Sequence, residues 1–288
     1  MTEYHELLER ADRILARVEA LLPPAPAEPD WRAPAFRWHR PGARGFLEAI
    51  PHPHRLRLSD LRGIDEQKAE LVRNTRQFLA GLPANNALLW GARGTGKSSL
   101  IKALLERFRR DGLRLVQVDK AQLLDLPEIL PLLEARPERF VVFTDDLSFD
   151  AGEAGYRALK AVLEGALTAL PDNVLLHATS NRRHLLPETQ RENRETRLID
   201  EEIHPGEALE EKISLSERFG LWLAFHPFSQ ERYLEIVQHW LKRLHAPAVD
   251  HEQTRRAALQ WALLRGSRNG RVAWQFARDW AGRHALGE

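Results

Sequence analysis

Asn86-Ala-Leu-Leu-Trp-Gly-Ala-Arg-Gly-Thr-Gly-Lys-Ser-Ser99 decides how the rest of this chain is read. Residues 87–90 are apolar and predict a buried strand, and an amphipathic helix is predicted to follow over 99–110. Between them the spacing is G-x-x-x-x-G-K-S, with Gly91, Gly96, Lys97 and Ser98 in the fixed positions. A polyphosphate requires such a loop on physical grounds. Glycines adopt backbone angles that aim several N–H groups at one anion, and they let the chain come close to it. The N-terminus of the following helix adds partial positive charge. Gly91, Ala92, Arg93, Gly94, Thr95, Gly96, Lys97, Ser98 and Ser99 are therefore the candidate phosphate-binding residues. Lys97 is placed to bridge the β- and γ-phosphates, and the Ser98 hydroxyl to ligate Mg²⁺.

Outward from this loop the chain alternates strands and helices. A helix is predicted from about 59 to 80, and further strands at 113–118, 140–144, 174–178 and 221–225. The run Phe140-Val-Val-Phe-Thr-Asp-Asp146 is continuously apolar until two carboxylates, as expected for a strand covered on both faces. Three helical segments follow, at 229–245, 251–265 and about 270–285. The pattern predicts a parallel five-stranded α/β domain sandwiched by helices over 56–228, with an α-helical lid over 229–288. Residues 187–212 are densely charged and predict an exposed insertion with a short helix.

Ahead of this domain, residues 1–22 carry an amphipathic helix that Pro23-Pro24 terminates. Residues 23–55 contain eight prolines and predict an extended arm with aromatic anchors. Trp31, Phe36, Trp38 and Phe46 interleave there with Arg37, His39, Arg40, Arg44 and Arg55. Such a pattern suits either wrapping of the domain or stacking against a nucleic acid strand.

Composition sets bounds on function. Of 288 residues, 43% are hydrophobic and 29% charged, as in a globular protein, and the net charge of +1 gives by itself no argument for nucleic acid or a membrane surface. With no cysteine, disulfides, thiolate metal sites and cysteine nucleophiles are excluded. No apolar run approaches the ~18 residues of a membrane span, and no secretory signal is present, which makes the cytoplasm the expected location.

Asp145, at the end of a buried strand, is placed to hold Mg²⁺ across the crevice from Ser98, and Asp146 to orient or deprotonate water. With these residues in order, 56–285 resembles the AAA+ ATPases. The resemblance implies that Asn181, in Ala178-Thr-Ser-Asn181, senses the γ-phosphate. It also implies that Arg218, in Ser216-Glu-Arg-Phe-Gly220, is a finger supplied to a neighbouring subunit's nucleotide, hence a homo-oligomer. Arg271 matches the lid's sensor arginine, with Arg268 the alternative. Residues 88–99, 178–185 and 212–221 resemble, more narrowly, a bacterial family of AAA+ proteins of uncharacterised role, DUF815.

Asp145-Asp146 departs from the Asp-Glu of most AAA+ motors. An aspartate reaches roughly 1.5 Å less far, and misplacement on that scale costs ~10²-fold in rate, so slow hydrolysis is expected. Asp146 remains the expected base, with Glu153 the less favoured alternative. The expected ligands are ATP and Mg²⁺, and the expected activity is ATP hydrolysis that remodels an unidentified protein client. The second reading is a DNA-associated switch of the helicase-loader type, supported by Arg182, Arg183, His184 and the basic-aromatic arm. A small-molecule kinase would leave Arg218 and the lid unexplained. No aromatic-glycine pair of the protein-threading type occurs between residues 119 and 139.

Overall fold

The computed structural model describes residues 28–42, 44–150, 153–164, 170–183, 185, 197–199, 202–204, 215–246 and 251–286, together with His5, Arg10 and Arg13. The chain divides into two units, Met1–Asp30 and Trp31–Glu288. In the first, His5, Arg10 and Arg13 are helical and exposed. The rest of the helix expected over 1–22 lies outside the described residues.

The second unit is built on strands β1 (Ala35–His39), β2 (Phe46–Ile50), β3 (Ala87–Gly91), β4 (Leu113–Gln117), β5 (Arg139–Thr144), β6 (Val174–Ser180), β7 (Arg197–Ile199), β8 (Glu202–His204) and β9 (Leu221–Phe225). Seven of these form one sheet in the order β2-β1-β4-β5-β6-β3-β9. From β1 to β9 all pairings are parallel. The helices are α1 (Asp65–Leu79), α2 (Lys97–Phe108), α3 (Leu126–Glu134), α4 (Ala154–Leu163), α5 (Gln230–Arg243), α6 (His251–Leu264) and α7 (Gly270–Leu286).

Each face of the sheet buries its own core, because the central strands carry apolar residues at both alternating positions. On one face Leu88, Val142 and Leu176 pack with Leu126 and Ile129 of α3 and Leu159 of α4. On the other, Leu89, Phe143 and Leu175 pack with Leu71 and Phe78 of α1 and Leu100 and Leu104 of α2. Every residue of β6 is buried. The C-terminal helices hold a third core around Tyr233, Ile236, Ala258, Ala273 and Phe276. The five expected parallel strands are all present, followed by the helical C-terminal region.

The sheet is wider than expected. Residues 35–50, read in the sequence as part of an extended arm, form a hairpin that adds β1 parallel to β4 and β2 antiparallel to β1. The prolines sit at the ends of its strands, where a missing N–H costs no ladder bond: Pro34 before β1, Pro41 after it, Pro51 after β2. Phe36 and Trp38 are 0% and 1% exposed, so neither can stack on a nucleic acid base. The Trp38 indole instead donates to Asp125 Oδ2 at 2.7 Å, and Arg40 Nε lies 2.8 Å from the same oxygen. A Cβ on Gly45 would lie 1.9 Å from that indole, which explains a glycine there. His39 pairs with Glu48 at 2.7 Å. The hairpin is a structural edge of the sheet.

In the charged stretch 187–212, the described residues pair as the antiparallel ribbon β7–β8. The short helix expected there lies outside the described residues.

Candidate functional site

Parallel strands end together, so a crevice forms beyond their carboxyl ends. β3 delivers the phosphate loop there, β5 delivers Asp145 and Asp146, and β6 delivers Asn181. Gly91, Gly94 and Gly96 have φ of 125°, 74° and 107°, a region that costs an L side chain free energy. Gly91 is also required for space: a Cβ would lie 2.2 Å from Phe225 O, where Ala92 N donates at 2.9 Å. Thr95 Oγ1 closes the loop by donating to Ala92 O at 2.8 Å.

Lys97 begins α2 and is 7% exposed. Its Nζ donates to Gly91 O and Ala92 O, both at 2.8 Å, and to Asn181 Oδ1 at 3.2 Å. Asn181 Nδ2 in turn donates to Asp146 Oδ1. Ser98 Oγ donates to Asp145 Oδ1 at 2.6 Å. Burial holds the Lys97 ammonium below the ordinary lysine range; Asp146 and Asp145 oppose that shift, and Arg93 and Arg271 add to it. The loop carbonyls and Asn181 thus meet at one ammonium, whose charge Asp146, Asp145, Arg93 and Arg271 influence.

The lid reaches the same loop. Arg271 N donates to Gly94 O at 3.3 Å. A Cβ on Gly94 would lie 2.6 Å from the Asn269 side chain, and one on Gly270 would lie 3.2 Å from Gly94 O. Asn269 Oδ1 accepts from Val272 N at 2.9 Å and so caps α7. Between loop and lid is a cavity of about 860 Å³, lined by Arg93, Thr95, Phe228, Leu259, Arg268 and Asn269. Arg268 lines the cavity, while Arg271 acts on the Lys97 charge.

The chemistry of this donor set fits a magnesium–triphosphate pair. Ser98 and Asp145 offer hard oxygens of the kind Mg²⁺ takes alongside phosphate oxygens and water. Lys97, Arg93 and Arg271 offer cations for the phosphates.

Of the other expected residues, Ser99 stays beside Lys97 and Ser98, in the first turn of α2. The Arg218 guanidinium donates to Glu164 Oε1 at 3.0 Å, just beyond the end of α4 and apart from the Lys97 cluster. Glu153 accepts from Asp150 N at 3.0 Å and pairs with Lys120 at 2.9 Å. Arg182 is exposed, and Arg183 lies 5.7 Å over the Trp90 ring. His184 lies outside the described residues.

Sequence reasoning missed three contributors. Leu61 and Ile64 approach Gly96 from the segment before α1. Asn269 and Gly270 dock the lid on Gly94. Thr179, 1% exposed, accepts from Asp146 N at 2.9 Å and donates to Asp145 Oδ1. Its only signal was a hydroxyl near the carboxyl end of a mostly apolar strand.

Comparison with known proteins bears on the family and the fold. A family model described as a protein of unknown function, DUF815, matches residues 31–284. No curated protein matches the sequence. Among solved structures, a RuvB variant from Thermotoga maritima is similar at 16% identity and TM-score 0.53, covering 77% of this chain and 64% of that one. Orc1 from Aeropyrum pernix, solved in complex with DNA, is similar at 14% identity and TM-score 0.54, covering 79% of this chain and 62% of that one. This chain spans less than two thirds of either protein, and the likeness is one of fold, the AAA+ fold. No helix among the described residues is long and apolar enough to cross a membrane.

Proposed function

Because the chain belongs to the DUF815 family and carries the AAA+ fold, we propose that it is an AAA+ ATPase that binds Mg·ATP and hydrolyses it slowly in a homo-oligomer. In this reading each cycle remodels or switches a macromolecular partner. The observation that carries the proposal is the convergence of Lys97, Asn181 and Asp146 in one hydrogen-bonded chain beside the Ser98–Asp145 pair.

Main-chain amides of residues 94–98 and the Lys97 ammonium hold the β- and γ-phosphates. Ser98 and Asp145 would hold the metal, which would supply positive charge against the phosphate oxygens. Asp146 orients a water in line with the γ-phosphorus and takes its proton as the water oxygen bonds to that phosphorus, while the bond from the phosphorus to the β–γ bridging oxygen breaks, leaving ADP and inorganic phosphate. Asn181 turns its Nδ2, which donates to Asp146, to the γ-phosphate, and its Oδ1, which accepts from Lys97, to the water. Arg271 closes the lid over the same phosphates. Two features support slow turnover: the short reach of aspartate, and the engagement of Asp146 by Asn181.

Arg218 completes the site of the next protomer. Its ion pair with Glu164 is exposed and therefore weak, so exchanging it for a phosphate is inexpensive. Arg218→Ala is expected to leave ATP affinity unchanged and lower turnover by about 10³-fold, with size exclusion showing an ATP-dependent assembly. A strictly monomeric protein of full activity, or wild-type turnover in the variant, overturns the finger.

Exposed Arg182 and Arg183 at the tip of β6 favour a second reading, a DNA-associated ATP switch. The buried aromatics of the hairpin no longer support it. DNA stimulation of ATP hydrolysis that falls steeply with salt distinguishes the two.

A further inference from the structure

We infer that Thr179 is a positioning residue that sets the direction of both acidic residues through one hydroxyl. The inference rests on the Mg·ATP reading for its consequence, but its geometry stands without nucleotide.

A threonine hydroxyl has one proton to give and lone pairs to accept with. Both capacities are used here on adjacent residues. Thr179 Oγ1 donates to Asp145 Oδ1 and accepts from the Asp146 backbone N–H at 2.9 Å. That N–H also lies 3.2 Å from Asp145 Oδ1, a longer contact than the one to the hydroxyl. Asp146 has φ of 52°, a left-handed conformation that a non-glycine residue adopts at a cost of about 1 kcal/mol or more. Such a conformation persists only where neighbours hold it from both sides. Thr179 supplies that hold twice, by its hydroxyl to Asp146 N and by its carbonyl, which accepts from Leu147 N at 2.6 Å.

The turn has a consequence for the carboxylates. A strand continuing straight from Thr144 would alternate the two side chains to opposite faces of the sheet. Instead Asp145 Oδ1 gathers the Ser98 and Thr179 hydroxyls, and the Asp146 carboxylate meets Asn181. Asp145 Oδ1 takes the protein's donors, so Oδ2 would be the oxygen to hold a metal. The hydroxyl therefore allots one carboxylate to the metal and the other to the water. At 1% exposure, no solvent molecule can take over that hydroxyl's two bonds without the site opening.

Threonine is also a good strand former, and filling β6 would be a purely structural role. Thr179→Val keeps the shape and removes the hydroxyl; Thr179→Ser keeps the hydroxyl and loses a methyl. Two readouts separate positioning from packing. In the nucleotide-free protein, the Asp146 amide, followed by NMR hydrogen exchange, is expected to exchange at least ~10-fold faster in T179V and to regain protection in T179S. With a non-hydrolysable ATP analogue followed by calorimetry, the Mg²⁺ concentration for half-saturation is expected to rise ~10-fold in T179V, while affinity for the metal-free analogue stays within about twofold. A role in packing alone predicts lower thermal stability in both variants with neither readout moved, and that result overturns the inference. So does a T179S protein that behaves like T179V. Should T179V not fold, Thr179→Ala carries the same comparison. Wild-type protein that binds no ATP analogue would sink the ATPase reading, while the amide readout would still decide the role of Thr179.

Discussion

The interior strand that feeds the phosphate loop and the hairpin at the far edge of the same sheet use similar residues to different ends. Each places a tryptophan in a strand beside glycine. Trp90 is half-buried at the crevice, with Arg183 over its face and His226 at its edge. Trp38 is sealed in the core with its N–H on Asp125. At the loop, glycines are needed for left-handed backbone and for room beside Phe225. In the hairpin, Gly45 only makes room for an indole. A loop built for a ligand is specified by the ligand's chemistry, and a hairpin built for an edge is specified by packing.

The two regions should therefore fail in different ways. Trp38→Ala is expected to cost about 3–5 kcal/mol of unfolding free energy, because a large buried side chain leaves a cavity and Asp125 keeps only its Arg40 partner. Nucleotide affinity measured below the new denaturation midpoint should stay within about twofold. A large loss of affinity in the folded variant would mean that the hairpin shapes the crevice, and the distinction would fall.

A smaller effect marks the central strand that carries Thr179 and Asn181. His177 is 1% exposed in β6, and neither ring nitrogen has a hydrogen-bond partner among the described residues. Burial lowers its pKa from 6.5 to about 4. The unfolded chain then takes up this proton near pH 6.5, before the native state does. The stability associated with His177 is full above about pH 6.5, falls as pH drops toward about 4, and levels off below that. Across that window the loss is ~3 kcal/mol. His177→Leu should remove that slope from denaturant titrations at pH 7 and pH 4, whereas Trp38→Ala should keep it. An unchanged slope in His177→Leu would show that the imidazole finds a partner or solvent.

The parts legible in the sequence are those where chemistry restricts residue type. Gly91 through Ser98 could be read because few residues tolerate those angles or hold a phosphate. Asp145 and Asp146 stood out because carboxylates ended an apolar run. The hairpin was hidden by composition: proline density suggests an extended arm, and only the positions of Pro34, Pro41 and Pro51 at strand ends tell otherwise. Thr179 was hidden because a threonine is ordinary in a strand, and its role depends on Asp146 turning left-handed thirty-three residues earlier. The docking of Asn269 and Gly270 on Gly94 joins segments far apart in the chain, which no local pattern encodes. Likewise, nothing local linked Arg218 to Glu164.

The most direct test of the central claim is calorimetric titration of ATP into wild-type protein and Lys97→Ala, each with and without Mg²⁺. The account predicts magnesium-dependent binding by the wild type, weakened at least ~30-fold in the variant, the cost of removing a buried cation from its phosphate partner, with the fold unchanged by circular dichroism. Wild-type protein that takes up no ATP in the presence of Mg²⁺, or a Lys97→Ala protein that binds it equally well, would contradict the account.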